Sequence, residues 1–185
     1  TYSGWQKQKS PQQETVQQYI ESALSKIADQ QIFVSCAGRT DSGVHATCQV
    51  VHFDSEIDRG EKAWTEGANS LLPKSIRIRW ASVQSEDFHA RFSALSRRYL
   101  YLIYQRDMDS TMLQGKVSRS RKELNPQAMR EAAQHLLGEQ DFSSFRAAGC
   151  QSNTAMRNVM HANIYSRGGI LVFDVKANAF LQHMV

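Results

Sequence analysis

Between two β-rich runs, the stretch Gly38-Arg39-Thr40-Asp41-Ser42-Gly43-Val44-His45-Ala46 gathers a cation, a hydroxyl, a carboxylate and two glycines. A turn of that make-up holds one carboxylate rigidly at the end of a sheet, where a substrate can reach it. Arg39 lies two residues from Asp41, close enough for an ion pair that keeps the carboxylate charged and nucleophilic near neutral pH. Thr-Asp-Ser-Gly is also ordinary turn chemistry, so the loop alone does not demand a function.

Other residues and readings bear on chemistry as well. Aspartic proteases carry their carboxylates in similar Asp-Ser/Thr-Gly turns, but that mechanism needs two, and no second copy occurs here. Arg77, Arg79, Arg91, Arg97, Arg98 and Arg106 are interleaved with Trp80, Phe88, Phe92, Tyr99, Tyr101 and Tyr104. That mixture contacts phosphates and stacks on exposed bases, and it equally describes a solvated strand edge with core aromatics. Arg157, just before Asn158-Val159, is a lesser candidate for an RNA-facing or active-site cation, with a surface arginine as the alternative. His45, Cys48 and His52 match no common ligand spacing, so no metal is expected. Phe180, Leu181 and Met184 read either as the apolar wall of a cleft or as helix core.

The bulk numbers set the class. The chain has 185 residues, 41% apolar and 22% charged, an ordinary globular composition able to bury a core. Its net charge of +4 favours an anionic partner only weakly. Cys36, Cys48 and Cys150 are odd in number and lack framework spacing, which points to free thiols in a reducing cytosol. No apolar run approaches the roughly 20 residues that span a bilayer, and the polar start has no signal-peptide core. A cytoplasmic location without a membrane partner is therefore expected. Thr1 in place of a methionine, and an apolar run that stops at Val185, make both ends look cut.

The elements that must hold these residues follow from periodicity. Val16, Tyr19, Ile20, Ala23, Leu24 and Ile27 recur at helical spacing after a Ser10-Pro11 stop. Gln31 to Ala37 and Thr47 to Phe53 are β-rich and flank the Asp41 loop. Glu61 to Leu72 reads as a helix ended by Pro73, and Ile76, Ile78 and Trp80 alternate as a strand with Arg77 and Arg79 on its other face. Ser93 to Tyr104 is a further strand. Asn125-Pro126 opens a helix that turns Met129, Ala132, Ala133, Leu136 and Leu137 inward and ends at Gly138. Arg157 to Tyr165 and Ile170 to Ala177 form a hairpin through Ser166-Arg167-Gly168-Gly169. The order predicts two α+β halves of similar plan, residues 1–90 with the Asp41 loop and residues 91–185, crossing within Ser82 to Ala90.

At the Asp41 loop a resemblance becomes specific. GRTDSGVHA resembles the signature of the tRNA pseudouridine synthase A family. YSGWQKQ, FHARFSALSRRYLYLIY, DFSSFRAAGC and KANAFLQHMV resemble that family's other segments in order and spacing, across nearly the whole chain. The resemblance implies the pseudouridine synthase fold, a mixed α/β (α+β) architecture with a mainly antiparallel sheet and a cleft between its halves. It implies an isomerase acting on uridine at positions thirty-eight to forty of the tRNA anticodon arm, as a homodimer, with no organic cofactor and no required metal. Residue by residue, Asp41 matches the nucleophile, Arg39 the base-displacing and carboxylate-pairing arginine, and Tyr99 the aromatic that packs on the target uracil. Arg77, Arg79, Arg98 and Arg157 are read as substrate-binding cations. Attack on the sugar, attack on the base and assisted elimination all remain open for Asp41. A tRNA-binding protein of the same fold without turnover is the alternative function. The family pattern places a carboxylate-pairing arginine after His-Met-Val, and this sequence ends at Val185.

Overall fold

A computed structural model of the chain describes residues 2–7, 13–105 and 110–185. Thr1, the Ser10-Pro11 stop and Arg106 lie outside the described residues. The chain forms two compact units, Thr1–Ala94 and Leu95–Val185.

In the first unit, the expected helix is α1, Val16–Ala28. Thr15, fully buried, caps its start by accepting the Gln18 amide, and Asp29 ends it in the left-handed region at φ 54°. Its apolar face (Ile20, Ala23, Leu24, Ala28) packs with Trp5, Ile32, Val34, Cys36, Trp64 and Ile76 into one core. Leu24 is 2% exposed, and burying such a side chain stabilises by about 1.5–3 kcal/mol. Glu21 is buried as well, because its carboxylate accepts the Gln17 side-chain amide at 2.8 Å and the Val34 backbone amide at 3.2 Å.

The two β-rich runs pair over a shorter length than their composition suggests. β1, Ser35–Cys36, and β2, Val51–His52, are antiparallel with Cys36 opposite Val51. The second helical segment is a π-turn, Ala63–Gly67, continuing into α2, Ala68–Leu71. Gly67 lets it approach α1 closely, since a Cβ there would lie 3.2 Å from Ile27 Cδ1.

The strand expected at Ile76 to Trp80 is not formed. The Asn69 side chain donates to the Ile78 carbonyl at 2.7 Å and accepts its amide at 2.8 Å, taking the place of a neighbouring strand. Ile76 is buried as expected, whereas Trp80 is 61% exposed.

The second unit is built on a five-stranded sheet in the order β4-β3-β7-β6-β5. Its strands are β3 (Arg97–Gln105), β4 (Ser118–Ser120), β5 (Gly138–Asp141), β6 (Met156–Arg167) and β7 (Ile170–Ala177). Only the β3–β4 pairing is parallel. The predicted hairpin is β6–β7, and Gly168 (φ 57°) and Gly169 (φ 79°) are both left-handed, as a type I′ turn requires.

The helix α3, Pro126–Gln134, packs on β6. Asn125 caps it by accepting the Gln127 and Ala128 amides. Ala133 is buried and Met129 and Leu136 pack on the core, but Ala132 is exposed and Leu137 is 38% exposed. The helix stops at Gln134, so its period no longer governs the residues after it. The fold is α+β. Its two units share helix-plus-sheet composition but not strand length. Among the described residues, no helix is long and apolar enough to cross a membrane.

Candidate active site

The Asp41 loop is sewn down at several backbone points. Ala37 N–H donates to the Val50 carbonyl at 2.9 Å, continuing the β1–β2 pairing. Gln49 then holds Gly38 twice, its side-chain amide donating to the Gly38 carbonyl at 2.6 Å and accepting the Gly38 amide at 3.4 Å. The Thr40 carbonyl accepts the Trp5 amide at 2.9 Å, and the Ser42 hydroxyl donates to the Tyr2 carbonyl at 3.4 Å. The loop closes in a turn in which the Asp41 carbonyl accepts the Val44 amide at 3.2 Å. Gly43, at φ 82°, occupies the third turn position, where a left-handed residue is needed. Arg39 and Asp41 both lie exposed on this fixed backbone.

Beneath the loop, burial pushes the Cys36 thiol above its ordinary pKa. The positive charges of Arg39 and Arg91 act in the opposite sense, which places both guanidinium groups within electrostatic reach of the loop's base. Arg91, noted in the sequence only as part of a basic run, thus belongs to the loop's surroundings. Its own turn is held by two histidines. Nδ1 of His89 accepts the Arg91 and Phe92 amides at 3.2 and 3.3 Å, and Nδ1 of His52 accepts the Ala90 amide at 3.1 Å.

A groove of about 1240 Å³ runs along the first unit beside the loop. Thr40 and Gly43 to Thr47 line one part of it, and Arg77, Arg79 and Trp80 another. Arg77 Nη1 donates to the carbonyls of Pro73 and Ile76, both at 2.7 Å, so that nitrogen is engaged in bracing the turn that follows α2. Arg79 touches the Thr47 carbonyl only at 3.5 Å and is exposed. Among the described residues, no group of three or more His, Cys, Asp or Glu side chains is arranged to hold a metal ion.

In the second unit, Tyr99 lies on β3 opposite Val175 and packs into that unit's core, its ring edge-to-face with Phe180. Arg98, the preceding residue, projects from the other face of the strand, as the two-residue period requires. There it forms a fork on Asp174, with Nε 2.8 Å from Oδ1 and Nη2 on Oδ2. The Asp174 side chain is only 5% exposed, against 61% for Arg98. Hydrogen bonds from Arg98 hold its carboxyl below the usual range, against the effect of burial, and His161 adds to the lowering.

Arg157 is not a surface residue. It is 7% exposed, with Nη1 3.0 Å from the Thr154 carbonyl and Nη2 on the Ser152 hydroxyl, while its buried Nε has no hydrogen-bond partner. Burial lowers its pKa from the usual arginine value. Arg146 similarly donates to the carbonyls of Cys150 and Ser152. The two arginines hold the segment between β5 and β6, and that segment in turn holds the chain after β7. Ala147 N–H donates to the Gln182 carbonyl, and Cys150 Sγ accepts the Gln182 amide.

Sequence reasoning missed Gly4, Gln49, Asp174 and Asn178. Asn178 fixes the chain beyond β7 by accepting the Asn158 and Ala179 amides on its side-chain oxygen. Only Asp174 carried a local signal, a lone carboxylate following four apolar residues in its strand.

A family model described as tRNA pseudouridine synthase matches residues 1–93 and 132–185. The tRNA pseudouridine synthase A of Histophilus somni (strain 129Pt) is 52% identical over 184 residues, covering 100% of this chain and 68% of that protein. Those of Shewanella woodyi and Legionella pneumophila (strain Lens) are 53% and 52% identical, again over the whole of this chain and 70% of theirs. Likeness of this extent, over a span that includes the sewn-down Asp41 loop, means that the chain belongs to the tRNA pseudouridine synthase family.

Proposed function

We propose that this chain isomerises uridine to pseudouridine at positions thirty-eight, thirty-nine and forty of the tRNA anticodon arm, with Asp41 as the catalytic carboxylate. The reaction breaks the N1–C1′ bond, turns the uracil, and forms the C5–C1′ bond; C5 loses a proton and N1 ends protonated, so no oxidant or energy source is needed. The observation that carries the reading is the presentation of Asp41, exposed on a turn whose backbone is held at Gly38, Thr40 and Val44. A fixed nucleophile avoids reorganisation during the reaction.

Arg39 occupies the space left when the uridine leaves its stack and supports the charge on Asp41. Tyr99 offers its ring to the extruded base and its phenol to the movement of the C5 proton. Arg77, Arg79 and Arg98 contact phosphates, and Arg157 serves the substrate face by holding the segment before β6. The protein acts as a homodimer in the cytoplasm. Release of tritium from tRNA labelled at uracil C5 tests the reaction, because only glycosylation at C5 expels the label. Binding of tRNA without release identifies a silent tRNA-binding protein instead.

A further inference from the structure

We infer that Gly4 is a positioning residue for Asp41, its missing side chain being what allows the catalytic loop to lie directly on the Tyr2–Trp5 backbone. The inference rests on the reading of Asp41 as the catalytic carboxylate. Gly4 sits at φ 86°, and a Cβ on it would meet the Thr40 carbonyl oxygen at 2.6 Å, the Asp41 carbonyl carbon at 3.0 Å and the Ser42 nitrogen at 3.1 Å. All three are backbone atoms of Asp41 and its two chain neighbours, so no rotamer change can relieve the contact. The adjoining bonds tie the same two segments together: Trp5 N–H to the Thr40 carbonyl, and Ser42 Oγ to the Tyr2 carbonyl.

The floor itself is fixed. Trp5 is 3% exposed in the core, and the carbonyls of Gly4 and Trp5 accept the Val16 and Gln17 amides at the start of α1 at 3.2 and 3.1 Å. These first-turn amides have no partner inside the helix, so the floor satisfies them while the helix holds the floor. A methyl group at position 4 therefore displaces the loop and not the floor. Displacements on the order of 1 Å at a reacting group cost roughly 100-fold in rate.

Gly60 supplies the control, being at φ 75° with no atom within 4 Å of the place a Cβ would take. Gly60→Ala carries the backbone strain of a left-handed alanine without the contact. The test measures single-turnover pseudouridine formation, tRNA affinity, melting temperature and amide exchange in the parent, Gly4→Ala and Gly60→Ala. Gly4→Ala is expected to lose roughly 100-fold in single-turnover rate with tRNA affinity near the parent, and to exchange the Trp5 and Val44 amides faster. Gly60→Ala is expected to lose melting temperature but keep its rate. A parental rate in Gly4→Ala, or an equal rate loss in both variants, overturns the inference. If Gly4→Ala does not fold, the parent decides: a Trp5 amide exchanging as fast as an unstructured peptide also overturns it. The exchange readout does not depend on what Asp41 does, so turnover by Asp41→Asn would remove the reading of Asp41 while leaving the Gly4–loop contact separately decided.

Discussion

The rings of Tyr99 and Phe180 meet edge to face, with centroids 5.0 Å apart and planes at 89°. Phe180 comes from the chain beyond β7, where Asn178 and Gln182 are hydrogen-bonded to β6 and to the segment before it. The orientation of Tyr99 is thus set by residues that never approach it in sequence. Such a pair contributes about 0.5–1.5 kcal/mol beyond its buried area. Tyr99→Phe keeps this contact and is expected to retain tRNA affinity while losing roughly 100-fold or more in turnover, the scale of proton-transfer catalysis. Phe180→Ala is expected to lose both, since the ring is no longer held. Parental turnover in Tyr99→Phe would leave the residue as packing only.

Replacing Asp41 by Asn preserves shape and removes the charge. Because the turn is held by backbone bonds, its fold should survive, with melting temperature and tRNA affinity near the parent. Turnover is expected to fall by several powers of ten, on the order of 5 kcal/mol or more of barrier. Product within tenfold of the parent in single-turnover conditions, with deamidation excluded, would sink the assignment.

Arg77 and Arg79 share one groove wall, and their joint replacement by Ala should weaken tRNA binding and flatten its salt dependence. Each lost phosphate contact lowers the log-log slope by roughly 0.7–0.9. Adding Arg98→Ala should flatten it further, at the cost of stability, because Asp174 then stays buried without its fork. An unchanged slope in the triple variant would remove all three from the RNA surface.

Acid offers a separate reading of the Arg98–Asp174 pair. The folded carboxyl is depressed, chiefly by its hydrogen bonds from Arg98, so its contribution is fully present above the unfolded value of about 3.9 and is lost as pH falls below it. Melting temperature should therefore drop more steeply below about pH 4 in the parent than in Asp174→Asn. Parallel curves would show that the pair does not contribute to acid sensitivity.

What was legible in the sequence was local. Helix α1 rests on periodicity and the β6–β7 hairpin on Gly168-Gly169, each signal confined to one short stretch of chain. The failed strand at Ile76 to Trp80 had the right alternation, but whether it pairs depends on Asn69, whose side chain already serves both polar groups of Ile78. Arg98 and Tyr99 fall on opposite faces of β3, a point the two-residue alternation already contained. The Asp41 loop was legible as a loop, and the family likeness is what proposes it as a site. Its support was not, because Gly4 and Gln49 act on it from outside the motif, and a glycine states nothing in sequence about the atoms that crowd it.

Gln49 serves Gly38 as both donor and acceptor, the two roles that an opposing peptide group would play. A glutamate at that position, one nucleotide away in the code, can accept but not donate. It would leave the Gly38 carbonyl facing a negative charge while closely preserving side-chain shape. Under mutational drift, then, position 49 should behave less like a surface polar site than like part of the main chain, tolerating change in proportion to how well the newcomer imitates an amide.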